Sequence, residues 1–158
     1  MQGERHLAPP LRRLFLVTND PYGQLARTLK EYLKVSHVVL VSSPSEANTL
    51  LRILSDDASQ ELLSVSGSQQ TRQYNLRITV IFDIADANGK VLIGPQTLSE
   101  TRTLTVQSNQ VLGSSNEASL FYQQMRRTIA YGVLNRMASK EISHLIENAL
   151  TVNKSKNV

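Results

Sequence analysis

The sequence predicts an α+β fold, a two-layer sandwich with two helices packed on one face of a mainly four-stranded mixed β-sheet. Three observations predict it. A strand, helix, strand order fills the first forty residues, the pattern of a right-handed βαβ crossover whose strands run parallel when they share a sheet. Three long runs with alternating hydrophobicity follow between 50 and 106, spaced as an antiparallel meander. The last third then switches to apolar residues three and four apart, which is helical spacing.

Residues 13–18 are apolar and rich in β-formers, bounded by Pro9-Pro10 before and Asn19-Asp20-Pro21 after, and read as the first strand. Asp20 is placed to cap a helix and Pro21 suits its first position, so a helix is expected over 21–35. Leu25, Leu29 and Leu33, with Tyr22, Ala26 and Tyr32, form its apolar stripe; Arg27, Lys30, Glu31 and Lys34 mark the wet side. Residues 37–41 read as the second strand. The long runs cover 50–65, 71–85 and 90–106. In the middle run Tyr74, Leu76, Ile78, Val80, Phe82 and Ile84 share one face and Asn75, Arg77, Thr79 and Asp83 the other, the pattern of a sheet covered on one side, with Ile81 as the exception. Asp86-Ala87-Asn88-Gly89 is a hairpin turn, since Asn and Gly tolerate the positive φ such turns require. The stretches 66–70 and 108–115 are polar connections. Ser114 with Glu117 fits a capping box, opening a helix over 115–137 with Phe121, Met125, Ile129, Val133 and Met137 as its buried stripe. Ile142, Leu145, Ile146 and Ala149 either extend that helix or bend off after Ala138-Ser139. Residues 1–150 are expected to form one domain and 151–158 a disordered tail.

With 158 residues, 41% hydrophobic and 19% charged, the chain is long enough to bury a core without crosslinks. It contains no cysteine, which removes disulfides, thiolate metal sites and cysteine nucleophiles. The net charge of +4 arises from scattered basic residues, including the pairs Arg12-Arg13 and Arg126-Arg127, so a mild preference for anionic partners follows. Aromatics are only 5% and tryptophan is absent, which argues against a nucleic-acid binder built on stacking. No run approaches the roughly 18 apolar residues that span a bilayer. Met1-Gln2-Gly3, running almost directly into Leu7-Ala8-Pro9-Pro10-Leu11, reads as a trimmed beginning with a segment expected upstream.

Candidate chemistry is sparse. His6, His37 and His144 have no ligand spacing, so no metal site is expected. No nucleophile elbow or other serine motif appears, so no catalytic residues are assigned and no enzyme is expected. No cofactor is expected either: Gly89 and Gly94 are turn residues rather than parts of a phosphate loop. Asp56-Asp57 are adjacent on a strand, point to opposite faces, and read as a solvated bulge or edge. Arg126-Arg127 read first as a solvated helix face; Arg72 and Arg77 flank a polar connection and are better placed to meet a phosphate.

Several segments, in order, resemble the LptE family. They are Asp20-Pro21-Tyr22-Gly23-Gln24-Leu25, Gln73-Tyr74-Asn75-Leu76, Gly94-Pro95-Gln96-Thr97-Leu98, Thr101-Arg102-Thr103-Leu104, Asn109-Gln110-Val111-Leu112 and the run from Asn116 to Arg127. The resemblance spans about Leu11 to Met137. It implies an outer-membrane lipoprotein, held at the periplasmic face by an N-terminal acylated cysteine. That lipoprotein plugs the LptD β-barrel, supports its assembly and contacts lipopolysaccharide during export. The family's fold, two helices on a mainly four-stranded sheet, matches the periodicity read above. The positions of the family's basic lipopolysaccharide contacts fall on Gly67 and Ser114 here, so those roles do not transfer directly. Arg72, Arg77 and Arg102 are the expected substitutes for lipopolysaccharide binding. The competing reading is a generic periplasmic module that binds lipid or another envelope component.

Overall fold

Strand β1 (Arg13–Val17) follows a short 3-10 turn over Pro9–Arg12 that buries Leu11. The computed structural model describes residues 7–65, 71–107 and 111–156. Helix α1 (Gln24–Val35) buries Leu25, Ala26, Leu29 and Leu33 of the expected stripe and adds Thr28, leaves Tyr32 half-buried, and starts three residues later than the Pro21 signal suggests. Its N-cap is Gly23, with no side-chain cap. The Asp20 carboxylate occupies the space a Cβ at Gly23 would need, so a larger residue there would have to displace the Asp20 side chain. Tyr22 therefore lies outside the helix and is exposed.

The end of α1 revises the second strand. The His37 amide donates to the Lys34 carbonyl and the Val38 amide to the Leu33 carbonyl, and His37 has φ of 68°. This is a Schellman ending, with His37 in the left-handed position that glycine usually fills and with Leu33 and Val38 buried. Strand β2 shrinks to Val39–Leu40 as a result.

Strands β3 (Thr49–Val65), β4 (Thr71–Asp86) and β5 (Val91–Gln107) are the three long runs. The sheet order is β2-β1-β3-β4-β5, with β1 parallel to both neighbours and the remaining pairs antiparallel. The mixed sheet thus has five strands rather than four, because the short β2 still pairs Arg13 with Val39 and Leu14 with Leu40. The hairpin at 86–90 closes as expected: the Asp86 carboxylate accepts the amides of Asn88 and Lys90, and Gly89 has φ of 90°.

Helix α2 (Val111–Met137) begins earlier than the capping box indicates, so Ser114 lies inside its first turn instead of capping it. Helix α3 (Lys140–Lys156) is separate. The Ser139 hydroxyl accepts the Ile142 amide and the Ser139 carbonyl accepts the Ser143 amide, an N-cap that restarts the helix after Ala138. There are three helices where two were expected, and α3 carries helical structure into 151–156. The connection at 66–70 lies outside the described residues, as do 108–110.

The main core lies between the helices and one sheet face. Leu76, Ile78, Val80, Phe82 and Ile84 of β4 are fully buried there against Met125, Ile129, Val133 and Met137 of α2. A smaller cluster of Ala47, Leu50 and Ala85, with Phe15, Val17 and Val41 packed on it, occupies the base of the opposite, helix-free face.

Candidate binding surface

The sheet has two ends. At its base β1 pairs with β3 from Leu14↔Thr49 to Val17↔Arg52 and then stops. Strands β3, β4 and β5 continue past it as a three-stranded extension toward the tip. Cross-strand register assigns each candidate arginine to a face, since residues directly opposite project the same way. Arg102 is opposite Leu76, which is buried beneath the helices, and Arg72 is opposite Val106; both arginines therefore lie on the helix side of the tip. Arg77 is opposite Ser59 and Thr101 and lies on the helix-free face. The three candidates do not converge. Two share one face, four residues apart along the strands, or about 13 Å, and the third has its back to them.

All three are exposed. The Arg102 guanidinium donates to the Gln124 side-chain carbonyl at 2.6 Å and sits 5.8 Å from the Phe121 ring centre, which holds it against α2. Neither Arg72 nor Arg77 forms an ion pair with a described residue. Leu62 and Leu63 of β3 and Leu120 of α2 are also exposed, each about half accessible. The tip thus combines cations with apolar side chains. Of the two family contact positions, Ser114 lies in the first turn of α2 and Gly67 lies outside the described residues.

The helix-free face of the extension is polar. Thr97, Ser99, Thr101, Thr103 and Thr105 line it on β5, Asn75, Arg77 and Thr79 on β4, and Asp57, Ser59 and Glu61 on β3. Thr79 and Ser99 share a hydrogen bond across the strands at 3.0 Å. Toward the base this surface ends at Arg52 and Asp83, which lie opposite each other. Nε and Nη2 of Arg52 donate to the two carboxylate oxygens of Asp83, each at 2.7 Å. That hydrogen bond, with the adjacent carboxylate charge, raises the Arg52 pKa against a smaller opposing effect of burial.

A cleft of about 390 Å³ opens where β1 ends, lined by Thr18, Asp20 and Gly23, the start of α1, the β3 bulge at Ile53–Ser55, and Arg126. On its wall Arg126 donates to Asp56, with the shortest distance 3.0 Å. Neither residue is simply solvated, as each appears when read alone: a β3 bulge turns Asp56 toward α2. One turn earlier, the Tyr122 hydroxyl donates to the Ser59 carbonyl at 3.0 Å, and burial raises the Tyr122 pKa against a smaller opposing pull from Arg126. Nothing in the pattern of β3 or of α2 signals these links, because each joins residues more than sixty positions apart. Among the described residues no group of histidine, aspartate and glutamate is arranged to hold a metal, and no helix is long and apolar enough to cross a membrane.

Residues 11–137 match the family LptE, described as Lipopolysaccharide-assembly. The LPS-assembly lipoprotein LptE of Yersinia enterocolitica is 26% identical over 160 residues, covering 99% of this chain and 76% of the relative. Among solved structures, the rare lipoprotein B of Shewanella oneidensis is similar with a TM-score of 0.69 and 27% identity, covering 82% of this chain and 96% of that one. A lipoprotein B from Nitrosomonas europaea shares the fold with a TM-score of 0.72 at 19% identity, over 87% of this chain and 88% of the other.

Proposed function

The chain belongs to the LptE family of lipopolysaccharide-assembly proteins, and from that premise we propose that it acts as the plug and assembly partner of the LptD β-barrel. In this reading it is an outer-membrane lipoprotein, lipid-anchored on the periplasmic side. It contacts lipopolysaccharide on its way to the outer leaflet and performs no chemistry of its own. The family match over 11–137 carries the reading. Two features of the surface support it. A plug must present polar side chains to a wet barrel interior, and the threonine-rich, helix-free face of β3, β4 and β5 does so. A phosphorylated lipid needs cations near apolar contacts, and the helix side of the tip carries Arg72, Arg102 and the exposed Leu62. Arg77, on the helix-free face, would meet lipopolysaccharide only at a separate contact.

The test is co-purification of the acylated, full-length protein with LptD from outer membranes. A stoichiometric complex is expected, and its clean absence would favour the generic envelope-binding module. The lipopolysaccharide contact is tested separately on the soluble chain. Charge reversal of Arg72 together with Arg102 is expected to reduce retention on immobilised lipopolysaccharide by more than an Arg102→Gln control, with circular dichroism confirming that each variant folds. Retention equal to that of the unsubstituted chain would remove these residues from the site.

A further inference from the structure

The sheet has two open edges, and they are built differently. Past Arg52, β3 has no strand on its outer side. This edge is guarded: it carries Asp56, Asp57 and Glu61, is interrupted by irregularities at Ile53/Ser55 and Leu62/Ser64, and gives its Ser59 carbonyl to Tyr122. Bulges and like charges are the usual devices that keep an edge from pairing with another chain. Strand β5, at the other edge, is 17 residues long, and its register with β4 is regular from Thr71↔Gln107 to Phe82↔Gln96. Its helix-side residues in order are Leu98, Glu100, Arg102 and Leu104; its helix-free residues are Thr97, Ser99, Thr101, Thr103 and Thr105, all exposed.

We propose that the β5 edge is an interface for a second copy of this chain, paired antiparallel about Thr101 so that the two sheets become one. The sequence of β5 is complementary to itself in that register. Glu100 of each copy falls opposite Arg102 of the other, Leu98 opposite Leu104, Ser99 opposite Thr103 and Thr97 opposite Thr105. Opposite charges and paired hydroxyls are favourable cross-strand neighbours. The charges also select the register. Sliding the axis to residue 100 or 102 sets Glu100 against Glu100 or Arg102 against Arg102, and like charges directly opposite are destabilising. Pro95, which lacks an N–H, falls on the last rung, opposite Gln107, where a missing donor disturbs the ladder least. Arg102 keeps its bond to Gln124 in the pair, because a guanidinium has donors to spare. The interface is isologous, as a two-fold pair requires. This inference does not rest on the barrel reading.

The experiment measures mass against concentration by light scattering and sedimentation for the unsubstituted chain, E100R, R102E and the E100R/R102E double variant, with circular dichroism confirming that each folds. The unsubstituted chain is expected to approach twice its 17.6 kDa mass as concentration rises. Either single variant sets like charges opposite each other twice and should weaken the dimer about tenfold or more. The double variant restores both pairs, and an equimolar mixture of E100R with R102E should dimerise where neither does alone. A chain that stays monomeric at ~1 mM would overturn the proposal. So would a dimer that both single variants leave unchanged, or single variants that lose the dimer without rescue in the double variant or the mixture.

Discussion

At the base of the sheet Leu51, Phe82 and Ile84 are sealed beneath helices, whereas farther along the molecule Leu62, Leu63 and Leu120 stay half exposed. The strands β3, β4 and β5 run through both regions, so the difference does not come from the sheet. It comes from what covers it. Helix α2 buries Met125, Ile129, Val133 and Met137, while its residues 116–124 are half-buried or exposed. The base thus carries the added layers of β1 and α1, while in the extension the buried row Leu76, Ile78, Val80 and Leu104 is flanked by the exposed side chains to which binding is assigned in the proposed reading.

The largest test of this contrast pairs Phe82→Ala with Leu120→Ala in urea denaturation. The first empties a fully buried site and is expected to cost about 3–5 kcal/mol; the second is expected to stay within about 0.5 kcal/mol. Equal costs would break the distinction. Next, Asp83→Ala leaves Arg52 without its partner in a site where the carboxylate is buried, and a loss of about 2 kcal/mol is expected, nearly independent of salt. The corresponding pair toward the tip, Asp56 with Arg126, is about a quarter exposed on each side, and a double-mutant cycle to alanine should give a coupling below about 1 kcal/mol that shrinks at high salt. A salt-insensitive coupling as large as that at Arg52 would show the tip to be as firmly held as the base. The smallest effect concerns Tyr122. Its raised pKa means that the folded state disfavours the phenolate, so the stability associated with the neutral phenol is complete below its ordinary pKa of ~10 and is lost as pH rises through the raised value. Tyr122→Phe should flatten that alkaline decline in melting temperature.

The base was far more legible in the sequence than the tip. Alternation along β4 identified its buried face residue by residue, because one covered sheet face imposes a period of two. The hairpin at 86–90 was equally plain, since a single glycine and a single aspartate do the work. Signals at element ends misled where a competing local geometry prevailed. Asp20-Pro21 looked like a helix start, yet Gly23 caps α1; His37 looked like a strand start, yet it closes the helix in a left-handed conformation that a non-glycine residue seldom adopts. Arg72, Arg77 and Arg102 were all identifiable as exposed cations. That register would divide them between two faces was not, because facing depends on partners in strands far along the chain. Asp56 with Arg126 and Arg52 with Asp83 were invisible for the same reason.

The unequal strand lengths also set an order of assembly. Strands β3, β4 and β5 are joined by connections of a few residues and pair antiparallel, so their hairpins can close on the ~1–10 μs scale of such elements. Strand β1 meets β3 only across the whole α1 crossover, and the entropy of closing that loop must be overcome before Leu14↔Thr49 and its neighbours contribute anything. The meander is therefore expected to gain amide protection first and β1 last, which pulsed hydrogen exchange during refolding would reveal. Until β1 docks, Leu50 and Leu51 lie on an uncovered strand edge, and aggregation should compete with folding during that interval.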